Sequence, residues 1–265
     1  MSDRSAFYGT TYSTAGTDVQ TRVRIETYDE DLGQAGWLQA AEAREFASWL
    51  GAGVRSMLDV ACGSGGISAF LAAELGAAVV GIDIDRHAIA AANERRAEGC
   101  SFQVADANER LPFADGSFDV VFSNDSVHHL RDRFTILRDW ARVLRPGGQL
   151  LFTEGLVVTG PVSNEEVRRR TFMGHFVLTP VGSNERAIEA AGLDLVRSED
   201  RSDAVAEVGG RLRAARERYR NELIATEGTE AFDSFQDFLE VTVSLAAERR
   251  LSRWVFHARK PGASH

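Results

Sequence analysis

The sequence is poor in several features that mark particular classes of protein. It has only two cysteines, Cys62 and Cys100, and two scattered thiols do not make a disulfide framework. Its first residues, MSDRSAFYGTTYST, contain no apolar core of signal-peptide length, and no apolar run is long enough to span a membrane. We find no internal repeat and no low-complexity tract. We therefore expect a cytosolic protein with no membrane partner.

Positive charge is also in short supply. The chain has 30 Lys and Arg against 39 Asp and Glu, for a formal net charge of −9. Nucleic-acid binding requires clustered positive charge against the phosphates, so we expect no nucleic-acid partner. The remaining composition, 44% hydrophobic and 26% charged, is ordinary for a globular protein of 265 residues. This length suits one large domain, or a domain with a small cap.

Short apolar runs alternate with helical patterns through the middle of the chain. The predicted strands are 56–61, 77–83, 101–106, 117–124 and 149–154, with helices near 37–50, 67–75, 86–97 and 133–144. Near-continuous apolar strands between helices indicate a parallel sheet covered on both faces. Two further strands, 193–199 and 251–260, follow after looser sequence. We expect the first of these to be parallel to the sheet and the last to be antiparallel.

The segments outside this alternation suggest three parts. Residues 1–36 are predicted to be an irregular N-terminal arm over the cofactor, and residues 37–200 with 249–265 the core. Residues 201–248 show two amphipathic patterns broken at TEGTE, which predict a helical insertion serving as a cap or as an interface of a homodimer. The arginines of this insertion alternate with acids, which is typical of a solvated face.

The stretch LDVACGSGG, residues 58–66, indicates a cofactor site, because an apolar strand runs into a glycine-rich turn and then a helix. Taken alone, the turn has two interpretations. GSGGIS nearly fits the dinucleotide fingerprint G-x-G-x-x-G/A, but its last position is Ser68. Asp83 ends the next strand, where a ribose-binding acid stands for either cofactor.

Four further motifs follow this turn in order. They are VVGIDID, ADANERLPF, FDVVFSNDSVHHL and LRPGGQLLF, and with LDVACGSGG they cover about residues 57–154. In combination they resemble the class I S-adenosylmethionine-dependent methyltransferases of the small-molecule type. The resemblance implies an α/β, Rossmann-like sheet of seven strands with the last strand antiparallel, here with a helical cap insertion. It also implies S-adenosylmethionine as cofactor and S-adenosylhomocysteine as product.

The resemblance assigns a cofactor site to the ends of the strands. Gly63 and Gly65 would let the backbone approach the methionine part. Asp83 would accept hydrogen bonds from both ribose hydroxyls, and Asp106 from the adenine amine. The complete predicted set is Asp59, Ala61, Gly63, Gly65, Asp83, Ile84, Asp106, Ala107 and Asn124. Asp59 has the alternative of fixing the turn through backbone N–H groups, and Asp85 that of capping the next helix.

The candidate base stands in NDSVHHL. His129 precedes the apolar residue after the fourth strand, a position that often holds a histidine in the family, and we predict it as general base or substrate contact. The alternative is a histidine that caps the following segment or bonds backbone. No metal-ligand spacing is found, so no metal is expected. The predicted substrate pocket comprises Tyr28, Gln34, Trp37, His128, Phe172 and Phe176. For Trp37, packing on the first helix is the alternative.

These observations favour methyl transfer to an oxygen, or a nitrogen, of a small-molecule metabolite, as in the tailoring of specialised metabolites. One alternative is a protein methyltransferase. Another is a protein that binds the cofactor without transferring methyl, in a binding or cyclase-like role. The fourth-strand motif SNDSV lacks the proline and aromatic residue of enzymes that flip bases.

Overall fold

The computed structural model describes residues 16–262, so residues 1–15 of the predicted arm and residues 263–265 lie outside the description. The strands are β1 (Ser56–Val60), β2 (Ala78–Asp83), β3 (Cys100–Val104), β4 (Phe118–Ser123), β5 (Leu144–Val158), β6 (Thr179–Pro180), β7 (Asp194–Asp200) and β8 (Leu251–Arg259). The helices are α1 (Asp18–Thr27), α2 (Ala40–Leu50), α3 (Gly66–Leu75), α4 (Arg86–Glu94), α5 (Arg133–Val143), α6 (Asn164–Arg170), α7 (Ser183–Ala190), α8 (Ser202–Arg218), α9 (Arg220–Glu227) and α10 (Thr229–Ala247).

One mixed sheet organises the fold. Its strand order is β3-β2-β1-β4-β5-β8-β7, and the two-residue β6 pairs with the far end of β5. Strands β1 to β5 run parallel to one another, whereas β8 is antiparallel to both β5 and β7. It follows that β7 runs parallel to β5. The predicted Rossmann-like sheet with its last strand antiparallel is confirmed.

The central strands are apolar on both faces because each face carries its own core. Leu58 and Val60 of β1 belong to a cluster with Trp140 of α5. Met57 belongs to a second cluster, which contains Phe46 of α2 and Leu71 of α3. Helices thus cover both faces of the sheet, which places the carboxyl ends of β1, β2 and β4 at one open edge.

The N-terminal segment differs from the predicted irregular arm. Asp18–Thr27 is the helix α1, and the irregular part of the described arm is residues 28–36, continued by 37–39 up to α2. The helix buries Val19 and Val23 against the insertion, in a cluster with Leu223 and Phe232. The prediction was wrong here because this helix is polar on most sides and is stabilised by a distant partner.

The insertion contains three helices instead of the two predicted. The break at TEGTE is present, since Gly228 separates α9 from α10, but a second break at Tyr219 separates α8 from α9. Arg216 also differs from the predicted solvated face. It is buried, forms an ion pair with Glu227 and lies over the ring of Phe235.

Strand β5 is longer than predicted at both ends. It includes the RPGG segment, where the irregular register beside β4 accommodates Gly147 at φ +78°. At its other end it continues to Val158 because the beginning of β8 pairs with it beyond a bulge.

Candidate cofactor and active site

A cavity of 480 Å³ opens at the carboxyl ends of β1, β2 and β4 and is closed on one side by residues 33–36. Eight of the nine predicted cofactor residues line it, together with the predicted base and one predicted pocket residue. These lining residues are Asp59, Ala61, Gly63, Asp83, Ile84, Asp106, Ala107, Asn124, His129 and Gln34. The topology therefore brings together most of the side chains that the sequence singled out.

The glycine-rich turn between β1 and α3 bends through left-handed backbone conformations. Ala61 has φ +59°, Gly63 φ +55° and Gly65 φ +72°. Gly65, however, does not line the cavity: a Cβ there would lie 2.6 Å from the ring of Phe102. Packing against β3 and the φ angle are sufficient reasons for a glycine at Gly65, and its predicted contact with the cofactor stays a prediction.

Asp83 braces this turn as well as facing the cavity. Its Oδ2 accepts the N–H of Gly63 at 2.9 Å, and its Oδ1 accepts the N–H of Asp85 at 2.9 Å. Burial raises the pKa of the Asp83 carboxyl, and these backbone donors oppose that shift. A carboxylate oxygen has two lone pairs, so each can accept one more donor, as from a ribose hydroxyl.

Asp59 lies deeper, beneath the turn. It is buried, and its Oδ2 accepts a hydrogen bond from the Ser68 hydroxyl at 2.5 Å, so its described contact is with α3 rather than with the backbone of the turn. Burial raises the pKa of Asp59 to about 7, with the Ser68 hydrogen bond opposing and the charge of Asp83 adding to the shift.

The end of the cavity nearest β3 contains the predicted adenine contacts. Asp106 Oδ1 accepts the backbone N–H and the side-chain amide of Asn108, at 2.8 and 2.9 Å. Ile84 also lines the cavity and is 64% exposed, and its predicted contact with the cofactor stays a prediction. Asp85 caps α4, since its Oδ1 accepts the N–H groups of His87 and Ala88.

The opposite end is formed by the turn after β4. The hydroxyl of Thr153 lies 3.0 Å from Asn124 Oδ1, which fixes this side chain at the cavity wall. His129 follows on a short 3₁₀ turn, and its Nδ1 lies 3.4 Å from the carbonyl oxygen of His175. Its ring packs against Phe176, with centroids 4.6 Å apart. The site therefore presents an amide and an imidazole beside the same cavity.

Comparisons with known proteins agree with this geometry. A methyltransferase domain family matches residues 58–152. The chain is 38% identical over 164 residues to the methyltransferase GfsG of Streptomyces halstedii, covering 58% of each chain. It is 36% identical over 152 residues to the 27-O-demethylrifamycin SV methyltransferase of Amycolatopsis mediterranei, covering 54% of this chain and 56% of that one. The chain thus spans less than two thirds of these relatives.

Residues 58–152 are thus a methyltransferase domain, in a chain whose motifs resemble the class I S-adenosylmethionine-dependent enzymes. Its fold also matches a solved phosphoethanolamine N-methyltransferase of Haemonchus contortus in complex with S-adenosyl-L-methionine, with a TM-score of 0.80 and 23% identity. That alignment covers 98% of this chain and 60% of the other. The family and fold predicted from the sequence motifs are confirmed, and the dinucleotide interpretation of the turn is set aside.

The methyltransferase cavity suits its cofactor on structural grounds. Asp83 and Asp106 line the cavity with carboxylates, which accept from donors such as ribose hydroxyls and an adenine amine, and the carboxyl-end location is the one where such sheets bind ligands. The helix start is also crowded, because a Cβ at Gly66 would lie 1.7 Å from the Leu32 carbonyl oxygen. The arm therefore lies directly on the cofactor turn.

His128 does not face the cavity, unlike its neighbour. It is buried, with Nδ1 3.2 Å from Glu154 Oε1, and its ring stacks on Phe176 at 5.5 Å. Glu154 is fully buried and also binds Arg133, at 2.6 Å. Nδ1 of His128 makes no hydrogen bond within the described residues. Arg133 links the 3₁₀ turn to β5, because it binds Glu154 and donates to the Val127 carbonyl at 3.5 Å. The role predicted for His128 in the substrate pocket stays a prediction.

The other predicted pocket residues are not among those that line the cavity. Tyr28 and Trp37 are buried in a cluster with α8 and α10, and Trp37 stacks on Phe238 at 6.4 Å rather than on α2. Phe172 packs against Phe235 and Phe238. Of the six residues predicted to form the substrate pocket, Gln34 alone is part of the cavity lining. Contact of the others with the substrate stays a prediction.

Three functional neighbours were missed by the sequence reasoning. Asp125 lines the cavity beside Asn124, and its side chain is 4% exposed. Arg95 donates to the carbonyl of Ser64 at 2.6 Å and lies under Gly33, joining the turn to the arm. Arg253 binds Asp125 from β8. Only Asp125 had a signal, since it lies within the motif FDVVFSNDSVHHL, directly after Asn124.

The described residues hold neither a cluster of metal ligands nor a membrane-spanning helix. Across residues 16–262, no group of three or more His, Cys, Asp and Glu side chains is arranged to hold a metal ion. In the same range no helix has both the length and the apolar character needed to cross a membrane.

Proposed function

We propose that this chain binds S-adenosylmethionine and transfers its methyl group to an oxygen of a small-molecule metabolite, with His129 as general base. The observation that carries the oxygen acceptor is the contact between His129 Nδ1 and the carbonyl of His175. A carbonyl oxygen only accepts, so this contact favours the neutral tautomer in which Nδ1 carries the proton and Nε2 keeps its lone pair. An unprotonated Nε2 is the form a general base requires.

The acceptor chemistry follows from what each nucleophile needs. The bound cofactor supplies a methyl group on a sulfonium, and the neutral thioether that remains after transfer is a good leaving group. A neutral amine attacks such a methyl without help, whereas a hydroxyl benefits from a base by about 10²–10⁴-fold. Asn124 and Asp125 at the same end of the cavity are placed to orient the reactants, and orientation supplies much of the remaining rate.

The kind of metabolite is supported by the relatives. One is named for 27-O-demethylrifamycin SV as its acceptor, which supports an oxygen nucleophile on a specialised metabolite. The arm and the insertion contact each other. Tyr28 donates to the Gly36 carbonyl at 2.7 Å and packs with the insertion. Residues 201–248 then act as a cap that holds the arm over the methyltransferase core.

The insertion contacts the N-terminal helix through charge as well as packing. Arg218 and Tyr219 both bind Glu26 at 2.6 Å, and Arg211 binds Asp29 at 3.0 Å. These contacts support the cap over the alternative of an interface between two copies. The homodimer, the cytosolic location and the absence of a nucleic-acid partner remain expectations, and light scattering of the purified chain tests the first.

The experiment begins with calorimetric titration of S-adenosylmethionine and S-adenosylhomocysteine, followed by a panel of phenols, alcohols, sugars and amines as acceptors. We expect both cofactor forms to bind and hydroxyl acceptors to be methylated. His129→Gln should lower transfer to a hydroxyl by about 10²–10⁴-fold and change S-adenosylhomocysteine affinity by less than about twofold.

Two results would oppose the proposal. If transfer occurs but His129→Gln leaves hydroxyl methylation intact, the base assignment is wrong. If both cofactor forms bind and no acceptor in a broad panel is methylated, the chain belongs with proteins that bind the cofactor without transferring its methyl group.

A further inference from the structure

A fully buried guanidinium lies in the middle of the molecule. Arg253 of β8 has no exposed side-chain surface, and its charge is shared by two carboxylates. Its Nη1 donates to both oxygens of Glu42 in α2, at 2.8 and 2.9 Å, and its Nε donates to Asp125 Oδ1 at 2.8 Å. Arg253 does not itself line the cofactor cavity.

Asp125 is the link from this guanidinium to the cavity. It is a non-glycine residue at φ +47°, a conformation that costs of order 1 kcal/mol or more and persists only where surroundings enforce it. Its N–H donates to Thr153 Oγ1 at 2.7 Å, and Arg253 Nη2 lies 3.4 Å from Asn124 Oδ1. The conformation of the 124–125 turn therefore depends on β5 and β8.

The same carboxylate also holds the arm. Asp125 Oδ2 accepts the backbone N–H of Trp37 at 3.2 Å, directly after the arm residues 33–36 that close the cavity. One side chain thus joins the 124–125 turn, the arm and β8. The arm has a second attachment at its other end, where Ser64 donates to the Gly33 carbonyl at 3.3 Å.

Two buried carboxylates that face one side chain explain why a guanidinium is needed at this point. Glu42 and Asp125 are both largely buried, and removing their shared partner leaves two uncompensated charges. A planar guanidinium serves both carboxylates at once, whereas an ammonium is a single point charge. We propose that Arg253 is a positioning residue: through Asp125 it holds the 124–125 turn and the arm in the geometry that binds the cofactor.

The test separates positioning from stability by a matched pair of substitutions. Arg253→Lys keeps the charge but loses the fork, and Arg216→Lys makes the same change at another buried arginine that pairs with Glu227 within the insertion. Thermal unfolding, S-adenosylhomocysteine affinity and hydrogen exchange of the peptide covering residues 33–37 are measured for both. The affinities are compared well below each unfolding midpoint.

We expect Arg253→Lys to bind S-adenosylhomocysteine about tenfold more weakly and to exchange residues 33–37 faster. Arg216→Lys should stay within about twofold of the unchanged chain in both respects, even where it unfolds at a lower temperature. Equal affinities for the two variants, or an unchanged exchange rate at residues 33–37 in folded Arg253→Lys, would overturn the proposal.

A second pair of variants covers the case in which Arg253→Lys does not fold. Glu42→Gln alone retains the contact of Arg253 with Asp125, and we expect its affinity to stay within about twofold. The double variant Glu42→Gln with Arg253→Gln removes one charge of each sign and leaves Asp125 without its guanidinium. It should reproduce the tenfold loss; a double variant that binds like the unchanged chain would also contradict the proposal.

Discussion

Asp83 Oδ2 and the backbone nitrogen of Gly63 are 2.9 Å apart, so the acid that ends β2 also holds the glycine-rich turn that begins after β1. The two strands are neighbours in register, with Asp59 opposite Gly81. A single carboxylate consequently braces the turn and also lines the cavity, with lone pairs left to accept further donors.

Asp83→Ala should lower affinity for S-adenosylmethionine by about tenfold or more, because it removes both the brace and the ribose acceptors. Calorimetric titration measures the change. Asp119→Asn is the matched control, since Asp119 is a buried carboxylate that accepts two backbone N–H groups, from Arg55 and Ser56, at the opposite end of β4. It should cost stability with little change in affinity, and equal loss in both variants would remove the ribose assignment.

Gly66→Ala tests the contact between the arm and the cofactor turn. A Cβ at this first residue of α3 would lie 1.7 Å from the Leu32 carbonyl oxygen, a backbone atom that moves only if the arm lifts. We expect S-adenosylhomocysteine affinity to fall about tenfold and protease cleavage within residues 28–39 to accelerate. Alanine in a helix is otherwise favourable by about 0.5–1 kcal/mol. Unchanged affinity and cleavage would show that the arm does not rest on this turn.

The sequence predicted the parts of the fold that are locally encoded. Apolar runs located the strands of the sheet, and Asp85 before α4 had the residue type of a helix cap. The motifs also placed Asp83, Asp106 and Asn124 at one edge, because parallel strands bring their carboxyl ends together. These assignments needed no information about distant partners.

What the sequence did not show depends on contacts between distant residues. Helix α1 buries only a narrow apolar strip against the insertion. The two segments are about 200 residues apart in the chain, as in the contact between Arg22 and Glu222. Arg216 looks like its exposed neighbours in sequence but is buried against Phe235. Gly65 belongs to the same glycine-rich turn as Gly63. Its φ angle and the nearby Phe102 ring are sufficient reasons for a glycine at this position. Such roles are set by packing, which a local pattern does not encode.

Two adjacent glycines in α8 should respond to alanine with opposite signs. At Gly209 a Cβ would lie 2.8 Å from Val243 of α10 and 3.5 Å from the Trp37 ring, whereas at Gly210 no atom lies within 4 Å. Gly209→Ala should reduce the free energy of unfolding by about 1–3 kcal/mol through overpacking. Gly210→Ala should raise it by about 0.5–1 kcal/mol through helix propensity. Denaturant titration of both variants measures this, and shifts of the same sign would contradict the close packing of α8 against α10.

The buried acid Asp59 should make the stability of the ligand-free chain depend on pH. Its pKa is raised to about 7 by burial, while an unfolded chain has the ordinary value near 4, so the folded state holds the proton more tightly. This contribution is complete below about pH 4 and is lost as the pH rises through 7. Asp59→Asn removes the titration and should gain on the order of 2–4 kcal/mol relative to the unchanged chain between pH 5 and pH 8.

A second buried group, His257, also makes the stability of the chain depend on pH. The effect of Asp59 is therefore measured as the difference in stability between the two chains. Burial lowers the pKa of His257 to about 4, so its contribution is present above about pH 6.5 and is lost as the pH falls towards 4. His257 titrates equally in both chains and cancels in the comparison of Asp59→Asn with the unchanged protein. Denaturant unfolding at half-unit steps from pH 4.5 to 8 gives the curve. A difference that stays flat across this range would mean that Asp59 is ionised throughout and that the Ser68 hydroxyl outweighs its burial.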